Sequence, residues 1–225
     1  MEREDGKMDK VVSMEKRAGL GLRVASELRA YWDGVRRNRL VPARSEIDPR
    51  GIERALEFSF VLERVAPGMG RFRLAGMHLN DLMGMEVRGM PLTAFFTSAA
   101  RKTIADGCEE MFREPAIVEA ELVSEPGPGR PELTARLLLL PLRSDLGDIT
   151  RALGCLVAEG AVCRVPRRFD VRALTVCPIG RDAIRIAEPG DEFALAQGFA
   201  EKAAAFEAAP SPEARRALFR IVSGS

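Results

Sequence analysis

Histidine is almost missing from this chain: His78 is the only one in 225 residues. That excludes a histidine-rich metal site and any serine–histidine–aspartate relay built elsewhere. Cysteine is sparse as well. Cys108, Cys155, Cys163 and Cys177 lie far apart with no C-x-x-C pair, which argues against zinc and against a disulfide-stapled secreted fold. Lysine supplies only five of the 34 basic residues, and the net charge is +1. A balance so near zero lacks the excess positive charge of a nucleic-acid-binding surface. No apolar run approaches the ~18 residues that cross a bilayer; the longest, Leu137–Leu142, has the length of a strand. The opening MEREDGKMDKVVSMEKR is charged and has no signal-peptide core. No P-loop, G-x-S-x-G or G-x-G-x-x-G is present. These absences together predict a cytoplasmic protein that is not an enzyme, holds no metal or cofactor, and touches neither membrane nor nucleic acid.

What is present describes a folded domain. The chain is 46% hydrophobic and 30% charged, enough for one core domain with terminal extensions. Leu20, Val24, Leu28, Tyr31, Trp32 and Val35 form a helical stripe that Pro42 limits. Asp48 and Pro49 then read as a cap and first position of a short helix with Ile52, Ala55 and Leu56 inward. Alternation places strands at 58–63 and 71–75, joined by a turn at Pro67–Gly70. Leu79, Leu82 and Met83 keep helical spacing between the breaks at Gly76, Gly84 and Gly89. Residues 93–113 read as one helix with Phe95, Phe96, Ala99, Ile104, Met111 and Phe112 inward, Gly107 being its weak point. Three further strands follow at 116–124, 133–143 and 151–159, and residues 169–179 have the pattern of one more.

Strands on both sides of a helical insert point to an α+β fold with an antiparallel sheet. Leu137–Leu140 are apolar on both faces of their strand, so both faces must be covered. The insert accounts for one. The N-terminal helix or a second subunit accounts for the other. The expected divisions are a flexible segment at 1–19, a helical segment at 20–57, the main domain at 58–178 and a partly helical extension at 179–225.

Three stretches resemble the PAS domain superfamily, and within it bacterial stand-alone PAS-like proteins that lack an output domain. They are Tyr31–Gly34 with Arg39, Pro42, Arg44, Asp48–Pro49 and Ile52; Phe72–Gly76 with Leu79 and Gly84; and Leu140–Leu142 with Leu153–Gly154. The resemblance covers residues 24–178, its most specific part being Arg71–Gly89. It implies a five-stranded antiparallel sheet with helices over one face, used for ligand sensing, dimerisation or docking. With the N-terminal helix and a helical C-terminal extension added, that is the expected architecture.

Three groups of residues are candidate sites. Phe58, Phe60, Phe72, His78, Leu82, Met83, Phe95, Phe96, Met111 and Phe112 converge between sheet and helices, as a core or as a pocket for a small apolar ligand. Arg36, Arg37, Arg39 and Arg44 offer an anion or an acidic partner a basic corner, or else brace their loop, with Arg44 paired to Asp48. Leu28, Tyr31 and Trp32 are the expected interface of a homodimer. An acid–base site would require His78 and Glu110 within hydrogen-bond reach of each other. The expected function is signalling through contact with an unidentified signalling protein, the alternative being a small-molecule sensor or carrier.

Overall fold

The computed structural model describes residues 19–124, 126–180 and 184–186. The expected C-terminal helical extension and nearly all of the expected flexible N-terminus lie outside the described residues. Helix α1 spans Leu20–Arg36. Strands β1 (Ser59–Ala66) and β2 (Met69–Ala75) form a hairpin, and helix α2 (Met77–Met83) follows directly. A short 3₁₀ helix at Leu92–Phe95 precedes helix α3, Arg101–Arg113. Strands β3 (Ala116–Ser124), β4 (Leu133–Arg143), β5 (Ile149–Glu159) and β6 (Asp170–Pro178) complete a six-stranded antiparallel sheet. The three-residue β7, Ile184–Ile186, extends its far edge. The strand order is β2-β1-β5-β4-β3-β6-β7.

The sheet is therefore wider than the five strands expected. β6 lies along β3 from Ala116↔Pro178 to Val123↔Asp170, with a register shift between Glu121 and Leu122. That bulge is why the sequence signal is faint: Val171 and Leu174, three apart, are both buried, so strict alternation is broken.

β4 explains the chain's longest apolar run. Leu137 and Leu139 join one buried cluster, with α2, α3 and the 3₁₀ helix. Leu138, Leu140 and Leu142 join a second cluster on the opposite face, with Val24, Leu28 and Trp32 of α1. Each fully buried side chain of this size contributes about 1.5–3 kcal/mol, so both layers are integral to the fold. Helices thus lie over both faces, and the outer one is covered by the chain's own N-terminal helix.

Two glycines make the β2–α2 junction possible. A side chain at Gly76 would place its Cβ 2.1 Å from the Glu57 carbonyl oxygen, because Gly76 donates its N–H to the Ser59 carbonyl at 2.8 Å. Gly84 ends α2 with φ of 72°, the left-handed conformation that glycine adopts without strain. The single helix expected at 93–113 is in fact two. Phe96 is extended, bridges to Phe169 and separates the 3₁₀ turn from α3, while Gly107 stays within α3 against Leu174.

Candidate functional site

The inner face of the sheet holds most of the side chains expected to line a pocket. Phe60, Phe72, Leu82, Met83, Phe95, Phe96, Met111 and Phe112 are all buried in one cluster. Their rings pack edge to face: Phe60 and Phe72 have centroids 5.1 Å apart, Phe72 and Phe95 5.5 Å. Such T-shaped pairs contribute about 0.5–1.5 kcal/mol beyond their burial. Phe58 departs from this set. It ends a short 3₁₀ helix, Leu56–Phe58, just before β1, joins the outer cluster, and meets His78 edge-on at 4.9 Å.

His78 completes the sheet where a strand stops. β1 begins at Ser59, opposite Cys155, so the β1-side edge of β5 beyond that point has no neighbouring strand. There the Ala158 N–H donates to His78 Nε2 at 3.1 Å. Accepting at Nε2 requires the neutral ring with its proton on Nδ1. Burial lowers the pKa of His78, with Asp81 pulling weakly the other way. His78 and Glu110 make no hydrogen bond to each other, so the acid–base pair does not assemble.

A pH dependence follows. Because the folded pKa is depressed, the His78 contribution is complete above the ordinary histidine value near 6.5. It is lost as pH falls through that value toward the folded pKa, since the unfolded chain takes up a proton that the folded one refuses. With one histidine in the chain, the effect has a single source. Urea unfolding from pH 7 to pH 5 is expected to show wild-type stability falling relative to His78→Gln, which keeps an acceptor but cannot titrate. Parallel curves for the two proteins would contradict this role.

The arginine corner divides in two. Arg39 forks onto Glu46, with Nη2–Oε1 at 2.8 Å and Nη1–Oε2 at 2.9 Å, and Nη2 also donates to the Val35 carbonyl. Glu46 in turn accepts the Ala43 N–H at 2.8 Å. Its carboxyl is held below the usual range, chiefly by the Arg39 hydrogen bonds. Arg36 bonds Asp33 at 2.7 Å and lies over the Trp32 ring, 5.0 Å from its centroid. Arg37 and Arg44 have no side-chain partner among the described residues. The expected Arg44–Asp48 pair is not formed. Asp48 instead caps the short helix Pro49–Ile52 by accepting the Arg50 N–H. Half of this corner is therefore bracing, supplied by Arg39 and Glu46.

The expected dimer interface is also used internally. Leu28 and Trp32 are fully buried in the outer cluster, and the Trp32 indole N–H donates to the Pro141 carbonyl at 3.0 Å. Tyr31 is half-buried. Its hydroxyl accepts the Asp48 N–H at 2.7 Å and donates to the Asp48 carbonyl at 3.1 Å. Arg29–Glu119 at 2.6 Å and the Gly21 N–H to Glu159 at 2.7 Å pin the rest of α1 across β3 and β5. Leu56 and Ala99, both expected inward, are exposed.

Two of the four thiols are buried and unreactive. Burial pushes both Cys108 and Cys155 up to about 12, far from the thiolate range that nucleophilic chemistry needs. Among the described residues no group of histidine, cysteine and carboxylate side chains is arranged to hold a metal ion, and no helix is long and apolar enough to cross a membrane. The sequence reading passed over Arg167, which is buried. Its available signal was three arginines within the five residues 164–168.

An antiparallel sheet with short helices closed over its inner face, entered through a strand–glycine–helix junction, defines a sensor-type α+β domain. The family profile described as PAS domain matches residues 22–157, and the chain belongs to the PAS domain family. The matched span includes nearly all of α1. No curated protein matches the chain. PAS domains are generally non-catalytic sensory modules, and membership gives this chain a sensory or signalling role.

Proposed function

We propose that this protein is a regulatory PAS protein that acts by contacting another protein, a second copy of itself included, and not by catalysis or by carrying an apolar molecule in its inner face. The observation that carries this reading is a contrast between two apolar surfaces. The inner face is closed by its own rings, whereas the β2 edge of the sheet leaves apolar side chains in solvent. Leu56, Leu74 and Met77 are 46%, 51% and 66% exposed. Leu56 and Met77 border a shallow depression that Glu53, Arg54, Glu57 and Ala75 also line. Apolar side chains framed by charge suit a protein contact of modest size.

Photo-crosslinking in the native cell tests this. A photoreactive residue at position 74 is expected to give a discrete adduct, and its mass identifies either a second copy or a different protein. The same residue at Lys102, exposed on α3, is the control. No adduct at position 74, or the same adducts from both positions, would overturn the proposal.

A further inference from the structure

A second feature lies where the chain buries a charge with no counter-charge among the described residues. Arg167 is 1% exposed. Its backbone N–H donates to the Leu82 carbonyl at 2.8 Å. Its guanidinium donates to the carbonyls of Pro131 and Val162, and no carboxylate among the described residues pairs with it. The buried Nε has no hydrogen-bond partner among the described residues. A guanidinium removed from water without an anion is costly, and a native structure normally satisfies such a donor.

The surroundings suit a missing anion. Arg167 lines a cavity of about 150 Å³ together with Thr97, Ser124, Arg130, Pro166 and Arg168. Arg130 also borders an adjoining depression with Pro126, Gly127, Pro128 and Arg164. None of these four arginines forms an ion pair among the described residues. The carboxylate of Asp170, beside them, already accepts from the Thr97 hydroxyl. The two depressions thus gather four arginines, and Thr97 and Ser124 bring a hydroxyl each to the first. Burial, with the Arg130 charge second, lowers the Arg167 pKa, as expected for a cation crowded by a cation.

We propose that this cavity binds a phosphate group, either inorganic phosphate or the phosphate of a monoester whose remainder lies in the depression beside Pro126 and Pro128. Arg167 presents its unpartnered Nε–H from a fixed position, Arg130 and Arg168 close on the anion from the rim, and Ser124 donates its hydroxyl. Planar guanidinium forks match phosphate oxygens in this way. The cavity shares no lining residue with the depression beside Leu56 and Met77, so phosphate binding and partner contact are independently testable.

The test is a thermal-unfolding titration with inorganic phosphate and, separately, with adenosine monophosphate, against sodium chloride at equal ionic strength. A ligand that binds only the folded chain raises Tm in a saturable way. Phosphate is expected to do so where chloride does not, and Arg130→Ala and Arg168→Ala are each expected to weaken the apparent affinity about tenfold. Both positions lie on the rim, so these variants keep the fold even where Arg167→Met does not. A stronger response to the monoester identifies the organic source, and an equal response identifies phosphate itself. No saturable shift with either anion, or shifts unchanged in both rim variants, would overturn the assignment.

Discussion

Replacing Trp32 by alanine is expected to cost about 3–5 kcal/mol of unfolding free energy, the range for emptying a buried aromatic site. The indole is fully buried between α1 and the outer sheet face, where it touches the cluster that contains Leu138, Leu140 and Leu142. Its loss removes the contact area and the hydrogen bond to the Pro141 carbonyl together. Trp32→Phe separates these two contributions. Most of the apolar volume returns, but a buried carbonyl loses its donor, which costs about 1–3 kcal/mol. Urea unfolding followed by circular dichroism measures both variants, because the chain's only tryptophan is the residue removed. A Trp32→Ala cost below about 1 kcal/mol, the scale of a typical surface change, would mean that α1 is not an integral layer.

The second large effect is expected on the opposite face. Phe72→Ala is expected to destabilise by about 3–5 kcal/mol, since the ring is fully buried and contacts Phe60 and Phe95 edge to face. The expected consequence extends beyond stability. An apolar void of this kind stays dry and takes small apolar molecules, so the variant is expected to bind benzene while the wild type does not. Benzene stabilising wild type and variant equally would show that the inner face already holds open space. Phe72→Leu keeps most of the volume and is expected to fall between the two.

The sequence made the inner layer legible for a specific reason. From Phe72 to Met83 the apolar spacing, the glycine at 76 and the glycine at 84 each satisfy a local requirement, so pattern and fold agree residue by residue. β4 was legible too, as a strand whose two faces both need cover. The sequence left open what supplied that cover. A helical stripe such as Leu20–Val35 serves a neighbouring subunit as well as its own sheet, and the Trp32–Pro141, Arg29–Glu119 and Gly21–Glu159 contacts distinguish the two. β6 was faint because an extra residue of its own, Arg172, bulges out of the pairing with β3 and breaks the alternation. The fate of Phe58 was hidden because it ends the 3₁₀ helix Leu56–Phe58, so the alternation that turns Phe60 inward does not reach back to it.

The candidate sites were less legible than the fold. Arg39 finds Glu46 seven residues away through a loop geometry that spacing does not encode. His78 was visible only as a lone histidine; its use, closing an unpaired edge of β5, depends on where β1 begins. Arg167 gave no signal beyond composition, because its burial results from chain crossings at Leu82, Pro131 and Val162.

Closure of the inner face by Phe60, Phe72, Phe95 and their neighbours is the central claim. Native mass spectrometry of the purified wild-type protein, compared with the same sample denatured, tests it most directly. The expected spectrum shows the polypeptide with no apolar organic molecule attached, phosphate adducts at the arginine cavity being compatible with it. An apolar molecule retained in the native spectrum and released on denaturation would contradict it.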